Sequence, residues 1–312
     1  MPSGNSSIRM LKKLLNVGFA LFLGFVCIST VHGKDLNWSV IDSPPFRIHY
    51  IEPDRESAEL IGKTIKTFYP RLRTELGYFE SSAIRIYLCK SEDIFNALSK
   101  GQIPHWSAGF AIPGQKTIVL KTYTGRTELV KTTIHEITHI LLHGATGNKY
   151  IPRWFNEGLA VYYSDDKEFA SSSLISKALI TNSLIPLGEI DRVLSFHTSK
   201  AQLAYQQSYL TVIFIIDTYG VSALKYIVKA LRVEDSADEA FTSAIGLNLT
   251  DFEKDWLKYI EDKHRWNFLI DFESYLWLFI LLLFILGFIL IRRRNRKTLQ
   301  RWEEEDEFYG FD

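Results

Sequence analysis

The stretch Thr132 to Gly144 reads TTIHEITHILLHG, with His135 and His139 four positions apart and Glu136 beside the first, in a run that is otherwise apolar. Four residues make just over one turn of an α-helix, so the two imidazoles face one point while Glu136 lies about 100° round from His135. Zinc suits such a point: it takes histidine nitrogens at about 2.0 to 2.1 Å, and a catalytic site supplies three protein ligands and leaves a fourth position for water. Glu136, one step from a ligand, is placed to reach that water rather than the metal. The third ligand is offered downstream by YIPRWFNEGLAVYY. There Pro152 suits a helix start, and Trp154, Glu157 and Val161 share one face, so Glu157 is a carboxylate among apolar groups. The short connection GATGNKY lets the second helix fold back on the first, and Gly158 allows close backbone approach. Burying three such groups without a metal or full hydrogen bonding would be costly.

These residues resemble the gluzincin metallopeptidases, most closely the peptidase MA-like family. The matching pieces are His135-Glu136-Ile137-Thr138-His139, then Trp154-Phe155-Asn156-Glu157-Gly158-Leu159-Ala160, then AYQQSYLTVIFIIDTYG from Ala204 to Gly220. The resemblance covers Phe46 to Asp262 and implies a zincin-like fold with one zinc per chain held by His135, His139 and Glu157, and Glu136 as general base. Physical chemistry supports those roles: two neutral imidazoles and one carboxylate leave a net positive charge on the metal, which lowers the pKa of a bound water toward about 7. Glu136 then takes the proton and delivers it to the leaving amine. The resemblance nominates Tyr205 as the donor to the oxyanion, with Tyr209 and His197 as rivals. It also implies an edge strand that pairs with extended substrate, either SAGFAI or TIVLKT, against the alternative of a purely structural hairpin. The G-x-M-E-N segment of related aminopeptidases is absent. The spacing from His139 to Glu157 is one residue shorter than the commonest pattern, Val161 stands where some relatives carry an acid, and His143 reads as a cation at the helix C-terminus.

The elements that must hold this site divide the chain. From Phe46 to Thr122, period-two and helical patterns alternate: FRIHYIE as a strand, Glu56 to Leu76 as a helix, AIRIYLC as a strand, Glu92 to Leu98 as a helix, then two strands around Pro113-Gly114. From Thr127 onward the pattern is helical, with Thr127 as the cap of the motif helix, Gly144, Gly220 and Gly246 as stops, and Thr250-x-x-Glu253 as a capping box. This predicts an α+β fold, a small mixed sheet plus a helical half, rather than regular βαβ winding.

The chain's 312 residues, 46% hydrophobic and 23% charged, suffice for one core with appendages. Residues 1–33 read as a signal peptide or uncleaved anchor: Arg9, Lys12 and Lys13 precede an apolar run from Val17 to Ile28 and a small-residue site at Gly33. Cys27 follows the bulky Val26, which argues against a lipoprotein. Residues 34–262 form the enzyme domain and 263–273 a juxtamembrane linker. Residues 274–291 carry no charge and are long enough to span a hydrocarbon core of roughly 30 Å. Arg292, Arg293, Arg294, Arg296 and Lys297 follow at once, which keeps the tail 292–312 cytoplasmic and the domain outside the cell membrane. Removing three basic charges of the leader, and six basic and six acidic charges of the tail, leaves 27 basic against 30 acidic, which disfavours nucleic acid. Cys89, alone once the leader is removed, reads as a small buried hydrophobe without a disulfide partner. The expected protein is a single-pass zinc metallopeptidase acting on peptide or protein substrates close to the membrane. The alternative is a catalytically silent metal-binding ectodomain that serves as an envelope scaffold. The sequence names no partner for the tail.

Overall fold

Five strands, β1 (Ser39–Ser43), β2 (Phe46–Tyr50), β3 (Ile84–Cys89), β4 (Gly109–Ile112) and β5 (Thr117–Lys121), form one sheet in the order β1-β2-β3-β5-β4. The computed structural model describes residues 37–101, 103, 107–165, 173–265 and 268–310, so the expected leader at 1–33 lies outside the described residues. Strands β2, β3 and β5 run parallel, and β1 and β4 pair antiparallel at the two edges. Alternation makes β2 a strand: Phe46, Ile48 and Tyr50 are buried while Arg47 is exposed. All five residues of β5 are buried, as befits an interior strand. TIVLKT is therefore not an edge, and SAGFAI, which supplies β4, is.

Helix α1 (Arg55–Leu76) crosses from β2 to the parallel β3 and buries Ala58, Ile61, Ile65, Leu72 and Leu76, a stripe at helical spacing. Gly77 ends it with φ 68°, the left-handed conformation glycine adopts without steric penalty. Helix α2 (Glu92–Ser99) is capped by Ser91, whose hydroxyl accepts from the Ile94 amide. Crossovers from β2 to β3 through α1, and from β3 to β5 through α2 and β4, give the sheet its parallel centre. Antiparallel pairing adds β1 and β4 at the edges, so the architecture is mixed α+β with a small sheet and mostly helices.

The helical half comprises α3 (Arg126–Ala145), α4 (Arg153–Tyr163), α5 (Ser173–Ile180), a 3-10 segment Leu187–Ser195, α6 (Thr198–Tyr219), α7 (Ser222–Val233), α8 (Ala237–Ile245) and α9 (Leu249–His264). Its core includes Trp154 stacked on Phe252 at 5.5 Å, with Phe241 against both rings and Phe214 against Phe252. Three local expectations are corrected. Helix α3 starts at Arg126 after Gly125, not at a Thr127 cap. Gly144 lies inside α3, where a Cβ would stand 2.4 Å from Cε2 of Tyr78; it is there for packing rather than as a stop. The cap of α9 is Asn248, which accepts from the Asp251 amide at 2.8 Å, while Glu253 accepts from the Leu187 amide at 2.7 Å and ties down the 3-10 segment. Gly220 and Gly246 do follow α6 and α8, at φ 79° and 80°. Cys89 is fully buried in the core.

Beyond α9, α10 (Phe268–Tyr309) runs through most of the expected linker, the apolar stretch and nearly all of the tail as one helix. Tyr275–Trp302 within it is long and apolar enough to cross a membrane.

Helix α4 approaches α6 so closely that a Cβ on Gly158 would stand 2.3 Å from the Ser208 carbonyl oxygen and 2.8 Å from Val212. Gly158→Ala should therefore cost about 1–3 kcal/mol through backbone displacement. Thermal unfolding of the full chain should register it as a clear fall in Tm. Gly114→Ala, with nothing within 4 Å of its Cβ, should stay within about 0.5 kcal/mol.

Candidate metal centre

Helix α3 carries two kinds of surface. Leu129, Ile134, Ile137, Ile140 and Leu141 pack into the core, and between them His135, Glu136 and His139 are fully buried as well. Helix α4 folds back against α3 and α6, and brings Glu157, 1% exposed, onto the histidine stripe. One oxygen of Glu157, Oε2, lies 3.6 Å from Nε2 of His135 and 3.7 Å from Nε2 of His139. The two rings stand nearly perpendicular with centroids 4.7 Å apart. All three donor atoms lie within 4.8 Å of one another.

Those separations are too long for direct hydrogen bonds. They are close to the roughly 3.3 Å that neighbouring ligands keep around a tetrahedral ion bound at about 2.0 Å. Nε2 of His139 and both oxygens of Glu157 have no hydrogen-bond partner although they are sealed from water. Leaving such atoms unsatisfied costs about 1–3 kcal/mol each, more where a charge is involved. The donor set fits a divalent cation that His135, His139 and Glu157 could hold together.

The surroundings hold the ligands in the forms a cation needs. Burial above all pushes the His139 pKa down to about 3, so its ring is neutral at physiological pH. Its Nδ1 lies 2.9 Å from Oδ1 of Asn156, which fixes the tautomer with the proton on Nδ1 and Nε2 free to ligate. Burial pushes the Glu157 carboxyl upward, but His139, His135 and Arg153 outweigh it, and the net direction is down. Arg153 opens α4 one turn before Glu157, with Nε 3.5 Å from Oε1.

Glu136 lies by the backbone of Ala111 on β4 with His135 and Glu157 as charged neighbours, and burial pushes its pKa up to about 7. Tyr205 on α6 is buried with Glu157, Arg153 and Glu136 as its charged neighbours, and desolvation raises its pKa far above the ordinary phenol value. The rivals stand elsewhere. Tyr209 is half-buried near Asp165 and Tyr162. His197 is exposed and hydrogen-bonded to Ser199 at 3.0 Å. His143 is not the expected cation: burial, with Arg153 beside it, depresses its pKa to about 4. Asn156 and Arg153 were missed as partners of the ligands. Asn156 could be read only from the fold, whereas Arg153 and Glu157 form an i,i+4 pair of opposite charges that the sequence displays.

Residues 67–262 match the sequence model of the peptidase MA superfamily, a span that includes every residue of this cluster. No curated protein matches the chain.

Asn156→Ala removes the partner of His139 without touching a ligand atom. Metal affinity, read by competition with a chelator, should weaken by about 10- to 100-fold, with the helical circular-dichroism signal unchanged.

Proposed function

The chain belongs to the peptidase MA superfamily, and on that premise we propose that it is a membrane-anchored zinc peptidase of zincin-like fold, with His135, His139 and Glu157 as the metal ligands. The observation that carries the reading is the meeting of three buried donor atoms from two helices within 4.8 Å, with a fourth buried group, Glu136, beside them. When bound, zinc supplies Lewis acidity, polarising a carbonyl oxygen and lowering the pKa of a water.

The chain's own residues do the rest. Glu136, with a pKa near 7, is matched to taking a proton from water and returning it to the leaving amine near neutral pH. Tyr205, kept in its protonated form, donates a hydrogen bond to the developing oxyanion of the scissile carbonyl. Its charged neighbours, Glu157 and Glu136, support that placement. Strand β4 is an edge of the sheet, and the backbone of Ala111 on it lies by Glu136. An extended substrate adding to this edge would pass along the motif helix, and backbone pairing would select shape over sequence.

The apolar part of α10 is the membrane anchor in this reading, and the basic cluster from Arg292 to Lys297 keeps its far end in the cytoplasm. Helix α10 contacts α5 of the domain, which favours membrane-proximal proteins as substrates. A second reading, a metal-binding scaffold without turnover, draws on one observation: His135, Glu136 and His139 are fully buried and Tyr205 is 5% exposed.

Glu136→Gln separates the two. The variant should keep the wild-type complement of one zinc per chain by elemental analysis, while hydrolysis of a peptide library falls by about 10²- to 10⁴-fold. Wild-type protein that binds zinc and cuts nothing would favour the scaffold. Equal turnover in the variant would remove Glu136 from the mechanism.

A further inference from the structure

The side chain of Arg153 is only 10% exposed, and it lies against a cluster that fits a divalent cation. A permanent positive charge there repels the ion the cluster would hold, so the placement works against metal uptake unless the guanidinium does something else. What it touches is specific. Glu157 divides its two oxygens: Oε2 faces the two histidine nitrogens at 3.6 and 3.7 Å, and Oε1 faces Nε of Arg153 at 3.5 Å. The backbone beneath Arg153 is fastened independently. Its amide donates to Oδ1 of Asp191 at 2.9 Å, and the other Asp191 oxygen accepts from the Tyr150 hydroxyl. The start of α4, and with it the backbone that carries both Arg153 and Glu157, is thus tied to the 3-10 segment Leu187–Ser195.

A free carboxylate can give a metal one oxygen or two. If both were given, the extra oxygen would take up space that water and substrate need in a catalytic site. Starting from the peptidase reading above, we propose that Arg153 is a positioning residue that retains Oε1 of Glu157, so that the carboxylate offers the site a single oxygen and the opposite side of the ion stays open. Arginine suits the task because its charge does not titrate and burial holds its Nε facing Oε1. The arrangement trades metal affinity for an open site.

The test uses full-length protein in detergent, comparing wild type with Arg153→Met and Arg153→Lys. Zinc affinity is read by competition with a chromophoric chelator, and kcat and KM on one peptide substrate. Arg153→Met should bind zinc as tightly as wild type or up to about tenfold tighter, because a repelling charge is gone and a second oxygen is released. Its kcat should fall at least tenfold with KM little changed. Arg153→Lys, which keeps the charge and loses the fork, should recover part of kcat and return zinc affinity toward wild type. A residue that merely supported the fold would give the opposite sign, with zinc lost as Tm falls. If Arg153→Met weakens zinc binding, or leaves both zinc affinity and kcat unchanged, the proposal is overturned while the ligand assignment stands. Wild-type protein that takes up no zinc overturns the peptidase reading itself, and this inference with it. Should the methionine variant not fold, Arg153→Gln replaces it with the same expectations.

Discussion

Four ionisable side chains, two imidazoles and two carboxylates, are sealed between α3, α4 and β4 with almost no contact with water. Ionised groups in such a place are strongly disfavoured unless other charges or hydrogen bonds compensate them. The neighbouring structure can be understood as meeting that condition. Asn156 supplies a polar partner to His139, Arg153 a countercharge to Glu157, and the Ala111 backbone a polar face to Glu136. Nε2 of His139 and both Glu157 oxygens are still left without a hydrogen-bond partner, and they lie with His135 in a cluster whose three donor atoms are within 4.8 Å of one another. A divalent ion would answer all three at once.

Holding that point demands tolerances that apolar packing alone supplies. Two glycines set the helix positions: Gly144 lets α3 close on Tyr78, and Gly158 lets α4 close on the Ser208 carbonyl. Behind them, Trp154, Phe241 and Phe252 form an aromatic wedge that stops α4 from turning about its axis. The angle matters because Glu157 is three residues beyond Trp154, nearly one turn; rotating the helix to misplace the indole would also misplace the carboxylate. The core and the site are the same piece of packing seen from two sides.

Much of this was legible in the sequence because it follows from helical period. The four-residue interval put His135 and His139 on one stripe, Pro152 marked the start of α4, and Gly158 implied close approach. The sheet was less legible. β1 escaped notice because SVIDS has only two apolar residues and is held by its pairing with β2. The caps went astray for a related reason: Thr127 and Thr250 are good capping residues, but Gly125 and Asn248 each stand two places earlier, and the helices begin there. His143 shows the limit of reading charges along a helix. Its place near the end of α3 suggested a cation, yet burial overrides the favourable helix dipole and leaves a neutral ring.

The two buried carboxylates supply the sharpest internal consistency. Glu136 and Glu157 have the same chemistry and the same near-total burial, and burial is the largest influence on each, pushing both upward. Glu157 nonetheless ends below its ordinary value, because His139, His135 and Arg153 surround it, and Glu136 ends near 7, because His135 and the Ala111 backbone do not offset its desolvation and the charge of Glu157 adds to it. The same burial thus leaves one carboxylate below its ordinary value and the other near 7, the divergence that the proposed ligand and base roles call for. Such a divergence between like groups in a single site is a common signature of divided acid-base labour. Here it accompanies the step of about 100° round α3 from His135 to Glu136, which brings Glu136 to the Ala111 backbone on β4 while leaving it next to the cluster. In the proposed reading, the position of one residue on a helical wheel separates holding an ion from using it.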